Sequence, residues 1–187
     1  MQLNLPTLLT LLRIGLIPVF VGVFFLPFRG ANLLCTALFG LAALTDWLDG
    51  YLARRLDQTS AFGAFLDPVA DKLMVAAALV LLVKAIPTPL MAITAVIIIG
   101  REIAISALRE WMAQIGNHRH VAVSMMGKIK TTAQMVALLL LLYREPLGIF
   151  PTLKVGLGLL IIAAALTLWS MLHYLLAAWP ALKEAGA

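Results

Sequence analysis

The chain has 187 residues, of which 63% are hydrophobic and 12% are charged, and its mean hydropathy is +1.01. A soluble domain of this size cannot bury so much apolar surface, so the composition excludes a water-soluble protein and indicates an integral membrane protein. The net charge of +5 is not carried by a basic arm with interleaved aromatic residues, which argues against a nucleic-acid partner.

Apolar stretches follow one another along the chain, and each is close to the length of about 20 residues that a spanning helix needs. We predict six spanning helices, at residues 10–28, 32–52, 63–86, 89–112, 123–142 and 151–179. Before them, Asn4, Pro6 and Thr7 form a pattern typical of a helix start, and residues 2–9 predict a short interfacial helix. No repeat or linker divides the sequence. The expected fold is therefore all-α and polytopic, with a single domain over residues 1–187.

Lys and Arg residues are distributed unequally between the two ends of these segments. With the N-terminus in the cytoplasm, ten of the fourteen lie at cytoplasmic ends, and four lie at outer ends, namely Arg29, Lys84, Arg144 and Lys154. Positive side chains near segment ends prefer the cytoplasmic side, so both termini are predicted to be cytoplasmic.

Four aspartates stand out in this apolar chain. Asp46 and Asp49 are three residues apart on the second segment, and Asp67 and Asp71 are four apart on the third, so each pair lies on one helical face. An ionised carboxylate at membrane depth costs about 2.5 kcal/mol or more, which implies a compensating cation. With no His or Cys nearby, the ligands are all oxygen and favour one or two Mg²⁺ or Mn²⁺ ions over zinc.

The residues around these aspartates suit a phosphate group. Small side chains at Gly50, Ala53 and Gly63 allow a ligand to approach the helix backbone, and Arg54 is a fork-shaped donor suited to phosphate. Together with a metal, they describe a pyrophosphate pocket. The alternative from a different class is a divalent-cation or proton transporter, in which acids line a path across the membrane. The clustering of the aspartates at one side argues against it.

These positions form a complete motif. Asp46-x2-Asp49-Gly50-x2-Ala53-Arg54-x8-Gly63-x3-Asp67-x3-Asp71 resembles, at every fixed position, the signature of the CDP-alcohol phosphatidyltransferases. The resemblance implies a six-helix membrane enzyme, usually a homodimer, that transfers a phosphatidyl group from a CDP-activated lipid to an alcohol and releases CMP.

The resemblance also implies roles for the residues of the motif. The four aspartates would bind two metal ions, and Asp71 would be the general base. The CDP group would be surrounded by Asp46, Asp49, Gly50, Ala53, Arg54 and Gly63.

Further stretches resemble bacterial members of this family that take sn-glycerol 3-phosphate as the acceptor; they lie at residues 4–10, 100–103, 106–111 and 127–134. This implies CDP-diacylglycerol as the donor, a role in phosphatidylglycerol and cardiolipin synthesis, and a site on the cytoplasmic side of the bacterial inner membrane. Inositol phosphate, serine or another alcohol remains an alternative acceptor.

An acceptor that carries a phosphate needs a second cationic patch. The candidates at cytoplasmic ends are Arg101, Lys128, Arg109 and Lys130. Each could instead be a cation that extends to the membrane surface. Glu102 and Glu110 are expected to pair with these cations.

Overall fold

The computed structural model describes residues 5–56, 61–114 and 125–185 of the chain. Its elements are helices, as the sequence predicted: α1 (Leu5–Phe24), α2 (Ala31–Leu56), α3 (Ala61–Ala85), α4 (Pro89–Gln114), α5 (Met125–Tyr143) and α6 (Thr152–Ala185). The bounds differ from the prediction in places: α1 begins and ends earlier, and α2, α4 and α6 continue past residues 52, 112 and 179.

The helices carry the apolar surface that a membrane requires. Three contain stretches long and apolar enough to cross a bilayer, at Thr7–Phe24, Pro89–Met112 and Thr152–Leu176, and two contain shorter apolar stretches, at Ala31–Asp46 and Ile129–Tyr143. Large apolar side chains also face outward: Val96 is 71% exposed and Leu176 is 72% exposed. Outward-facing apolar side chains in such numbers are those of a protein surrounded by lipid.

The N-terminal region differs from the prediction of a separate interfacial helix. Residues 5–9 are the first turns of α1, which runs without a break to Phe24, and residues 1–4 lie outside the described part. The physical reason is the position of Pro6. A proline in the first turn lacks an N–H that would have no helical partner anyway, so Pro6 starts the long helix and does not separate a short one from it.

The two helices that carry the aspartates, α2 and α3, both pack against α1. α1 packs against α2 and α3, α5 packs against α2 and α6, and α4 packs against α3 and α6. The interior is filled by side chains such as Phe20, Phe39, Leu79 and Leu138, all fully buried. Consecutive helices joined by short turns run antiparallel, so the second half of α2 lies beside the first halves of α1 and α3.

One end of the bundle, which we call the outer end, is held by two cations. Arg144 donates a hydrogen bond of 2.6 Å from Nη2 to Asn32 Oδ1, and its guanidinium lies 4.9 Å from the centre of the Phe24 ring. Lys84 Nζ lies 4.0 Å from the centre of the Phe25 ring. These contacts join α1, α2, α3 and the turn after α5, away from the aspartates.

Close packing of α5 on α6 leads to a first prediction, at Gly156. A Cβ at this position would lie 2.9 Å from Leu141 Cγ and 3.1 Å from Leu140 Cβ. Leu141 is fully buried, so it has little room to move. We expect Gly156→Ala to destabilise the protein, because overpacking costs about 1–3 kcal/mol. That exceeds the gain of about 1 kcal/mol from better helix propensity.

Gly158 is the matched control, since a Cβ there meets nothing within 4 Å. Thermal unfolding in detergent should show a lower Tm for Gly156→Ala and an unchanged or higher Tm for Gly158→Ala. Equal Tm values for the two variants would contradict the close α5–α6 contact.

Candidate active site

Three of the four predicted aspartates lie on two neighbouring helices, in the half of the bundle opposite the outer end. Asp46 lies in the second half of α2, and Asp67 and Asp71 lie in the first half of α3. The charge of Asp46 acts on the Asp71 carboxyl, which places the two side chains within electrostatic reach of each other. Asp49 lies one turn beyond Asp46 on α2, but its side chain is outside the described residues. The α2–α3 hairpin thus brings Asp46 and Asp71 near each other, and a metal site shared by all four aspartates stays a prediction.

The first helix also reaches this cluster, which the sequence analysis missed. Arg13 is 1% exposed, and its Nη1 donates a 2.7 Å hydrogen bond to Asp46 Oδ1. The hydroxyl of Thr10, fully buried, donates to Asp67 Oδ1. Thr10 and Arg13 are one helical turn apart on the same face of α1. α1 therefore contacts a carboxylate on each acid-bearing helix.

A signal for this role was present in the sequence. Arg13 lies near the middle of the apolar stretch Thr7–Phe24, where an arginine is rare and usually faces the interior of the bundle. Arg13 is one of the ten cations whose distribution predicts the orientation of the helices. Its depth in an apolar segment was the better indication.

The aspartates fit a divalent cation in their ligand chemistry. Asp46, Asp67 and Asp71 offer carboxylate oxygens, the ligands of Mg²⁺ and Mn²⁺. Within residues 5–56, 61–114 and 125–185, where Asp49 has no described side chain, no three acidic, His or Cys side chains are grouped tightly enough to hold an ion. Asp46 is paired with Arg13 instead, so in this arrangement a protein cation neutralises one of the predicted ligands.

The predicted surroundings of the CDP group are described only in part. Gly63, in the first turn of α3, is buried. The side chains at Ala53 and Arg54, and the surroundings of Gly50, lie outside the described part of α2. Their role stays a prediction.

Two of the four predicted acceptor cations come together around one glutamate. Arg101 of α4 donates from Nη1 to Glu102 Oε1 at 2.6 Å, and Lys130 Nζ of α5 lies 3.7 Å from the same oxygen. Arg101 Nη2 also donates to Ser170 Oγ of α6 at 3.3 Å. The expected pairing of Glu102 is confirmed, and the cations of α4 and α5 converge. The side chains of Arg109 and Lys128 lie outside the described residues.

The acidic cluster and the cationic cluster are neighbours. The charges that act on the Asp71 carboxyl include those of Glu102 and Lys72 as well as those of Asp46 and Arg13. Lys72 follows Asp71 on α3, and its Nζ donates to Ser106 Oγ on α4, so it lies between the two clusters. A phosphate-bearing molecule held at Arg101 and Lys130 would have its other end close to Asp71.

The chain that carries the acidic and cationic clusters also matches a known protein family. Residues 3–176 match the model of the family described as CDP-alcohol phosphatidyltransferase. The chain belongs to the CDP-alcohol phosphatidyltransferase family.

Relatives of this phosphatidyltransferase cover nearly its full length. It is 57% identical over 178 residues to a protein of Sodalis glossinidius, with 95% of this chain and 96% of the relative aligned. It is 58% identical to a protein of Pectobacterium atrosepticum, again with 95% of this chain and 96% of the relative aligned. It is 56% identical to one of Yersinia enterocolitica over 98% of this chain and all of the relative. All three are named CDP-diacylglycerol–glycerol-3-phosphate 3-phosphatidyltransferase.

Proposed function

We propose that this phosphatidyltransferase transfers the phosphatidyl group of CDP-diacylglycerol to sn-glycerol 3-phosphate, giving phosphatidylglycerophosphate and CMP for phosphatidylglycerol and cardiolipin synthesis. The observation that carries the proposal is the two-part site. The Asp71 carboxyl of α3 is within electrostatic reach of Asp46 on α2 and of Glu102 on α4, and Glu102 in turn pairs with the cations Arg101 and Lys130. The names of the three relatives support the same pair of substrates.

The proposed reaction is an attack of a hydroxyl on a pyrophosphate. The hydroxyl oxygen of glycerol 3-phosphate bonds to the phosphatidyl phosphorus, the bond from that phosphorus to the CMP oxygen breaks, and the hydroxyl proton passes to the Asp71 carboxylate. Bound at Asp46, Asp49, Asp67 and Asp71, two Mg²⁺ or Mn²⁺ ions would neutralise the charge of the pyrophosphate. Arg54, Gly50, Ala53 and Gly63 would hold the CDP group.

The acceptor's phosphate is proposed to bind at the cationic cluster. Arg101 and Lys130 together carry two positive charges against one negative charge on Glu102, so the described cluster keeps an excess positive charge. Lys128 and Arg109 would add to it. Binding there orients the acceptor, because its phosphate is fixed at α4 and α5 and its free hydroxyl points toward α3.

The cellular setting follows from charge and family. We propose six spans in the bacterial inner membrane, with the site facing the cytoplasm, where the water-soluble acceptor is found and CMP is released. Ten of the fourteen Lys and Arg residues belong to the segment ends that the sequence predicts to be cytoplasmic, which supports this orientation. A homodimer is proposed from the family resemblance.

An acceptor-dependence assay tests the proposed substrates. Purified protein in detergent micelles with labelled CDP-diacylglycerol should release CMP when sn-glycerol 3-phosphate is added, because the phosphate of this acceptor can bind at Arg101 and Lys130 while its hydroxyl reaches Asp71. Inositol phosphate and serine are the parallel acceptors. CMP release with one of them alone would reassign the acceptor. Cation or proton flux into proteoliposomes without CMP formation would support a transporter.

Metal removal gives a second prediction. Activity should disappear in excess chelator and return with added Mg²⁺ or Mn²⁺, because clustered carboxylates without a cation would repel the pyrophosphate. The measurement is CMP release before chelation, after chelation and after readdition, with Ca²⁺ and Zn²⁺ as comparison ions. Turnover that persists in excess chelator would rule out the metal-dependent reaction.

A further inference from the structure

Arg13 is a charged side chain deep in the protein whose partner is one of the proposed metal ligands. It comes from α1, outside the signature motif, and is 1% exposed, whereas the Asp46 carboxylate that it contacts at 2.7 Å is 41% exposed. The guanidinium is therefore fixed by its surroundings, while Asp46 faces the site. An arginine in this position determines where the Asp46 oxygen lies.

Arg13 also faces the remainder of the acidic cluster. It lines a small cavity together with Asp71, and its charge acts on the Asp71 carboxyl. The other wall residues of this cavity are apolar, among them Phe39, Ala42 and Met74. A positive charge in such surroundings is less screened than one in open water, so Arg13 interacts electrostatically with Asp71 as well as with Asp46.

We propose that Arg13 is a positioning residue that holds Asp46 in place before the divalent cation binds and that competes with this cation for the negative charge of the carboxylates. The inference rests on the divalent-cation site of the proposed function. A fixed internal cation keeps the site assembled without metal. It also weakens metal binding, because both cations are attracted by the same carboxylates and coupling between two sites is reciprocal.

The test uses Mn²⁺ binding to the purified full-length protein in detergent, measured by the loss of the free-ion EPR signal. Arg13→Gln removes the charge and keeps a polar side chain of similar length. We expect the Kd for Mn²⁺ to fall about tenfold in this variant, since a buried unit charge is removed next to the site. Arg13→Lys retains the charge and should keep a Kd near the wild-type value, but with a lower kcat and an unchanged KM for the donor, because Asp46 loses its fork-shaped partner.

Thermal unfolding supplies a second readout. In chelator, Arg13→Gln should unfold at a lower temperature than the wild type, and saturating Mn²⁺ should raise its Tm by more than it raises the wild-type Tm. Arg144→Gln at the outer end is the matched control. This substitution also removes an arginine that bonds to α2, but the partner there, Asn32, is uncharged. The decrease in Tm that it causes should be the same with and without Mn²⁺.

Each outcome has a distinct meaning. If Arg13→Gln binds Mn²⁺ with the wild-type Kd and loses the same Tm in chelator and in Mn²⁺, Arg13 is only structural and the inference is wrong. If the wild type itself binds no Mn²⁺ and shows no metal-dependent Tm, the metal site of the proposed function fails instead. Should Arg13→Gln not fold even in Mn²⁺, a wild-type kcat in Arg13→Lys would overturn the positioning role.

Discussion

Replacing Asp71 by asparagine is expected to lower kcat by about 10²- to 10⁴-fold, the usual contribution of a general base. The amide keeps the shape of the side chain but cannot accept the hydroxyl proton of the acceptor. Asp71 suits this role because the proposed acceptor site at Arg101 and Lys130 adjoins it through Lys72 and Glu102. Single-turnover CMP release with saturating substrates measures the step directly.

The control for this variant is Asp57→Asn, which changes the one aspartate that is not at a fixed position of the signature motif. Its kcat should stay near wild type, although the placement of Asp57 is outside the described residues. Thermal unfolding should show Asp71→Asn to be folded, since removing one of several clustered negative charges relieves repulsion. A kcat within a few-fold of wild type in Asp71→Asn would remove this residue from the base role.

Replacing Arg101 by alanine is expected to raise the KM for sn-glycerol 3-phosphate about tenfold to a hundredfold. The reason is electrostatic: hydrogen bonds to charged groups contribute about 1.5–3 kcal/mol, and about 1.4 kcal/mol corresponds to a factor of ten. Without Arg101, only Lys130 among the described cations opposes Glu102, and the net positive charge of that pair falls to zero. The KM for CDP-diacylglycerol should change far less. Lys128→Ala should follow the same pattern.

Arg54→Ala should raise the KM for CDP-diacylglycerol more than the KM for sn-glycerol 3-phosphate, because Arg54 is proposed to contact the donor's pyrophosphate. Arg29→Ala, on the turn between α1 and α2 at the outer end, is the control for loss of a positive charge away from the site. Steady-state kinetics with each substrate varied in turn separates the cases. Normal acceptor kinetics in both Arg101→Ala and Lys128→Ala would mean that other residues bind the acceptor's phosphate.

The sequence was sufficient to predict the acid-bearing hairpin but not its third partner. Spacings of three and four residues define a helical face, and a short connection makes two helices antiparallel, so Asp46 and Asp71 could be expected to meet. The contact of Arg13 with Asp46 spans 33 residues and that of Thr10 with Asp67 spans 57. Periodicity tells which face of α1 these residues share but not which helix that face meets.

The contacts of the cationic cluster could also be predicted only in part from the sequence. Arg101 and Lys130 were predicted to lie at the same depth, from the positions of their segments, and the pairing with Glu102 was expected from proximity in sequence. The bond from Arg101 to Ser170, 69 residues away, and the contact from Lys72 to Ser106 depend on how α3, α4 and α6 pack. Packing order among helices of similar hydrophobicity is not encoded in their apolar pattern.

The contacts of α1 also bear on how the chain enters the membrane during synthesis. A lone arginine near the middle of a spanning helix costs about 2.5–3.5 kcal/mol at insertion, and Arg13 occupies that position in Thr7–Phe24. Its counter-charge, Asp46, is synthesised only with the second helix, and the acceptor for Thr10 only with the third. We therefore expect the first helix to reach its stable place in the bilayer only when the next two arrive, so that α1, α2 and α3 integrate into the membrane as a unit.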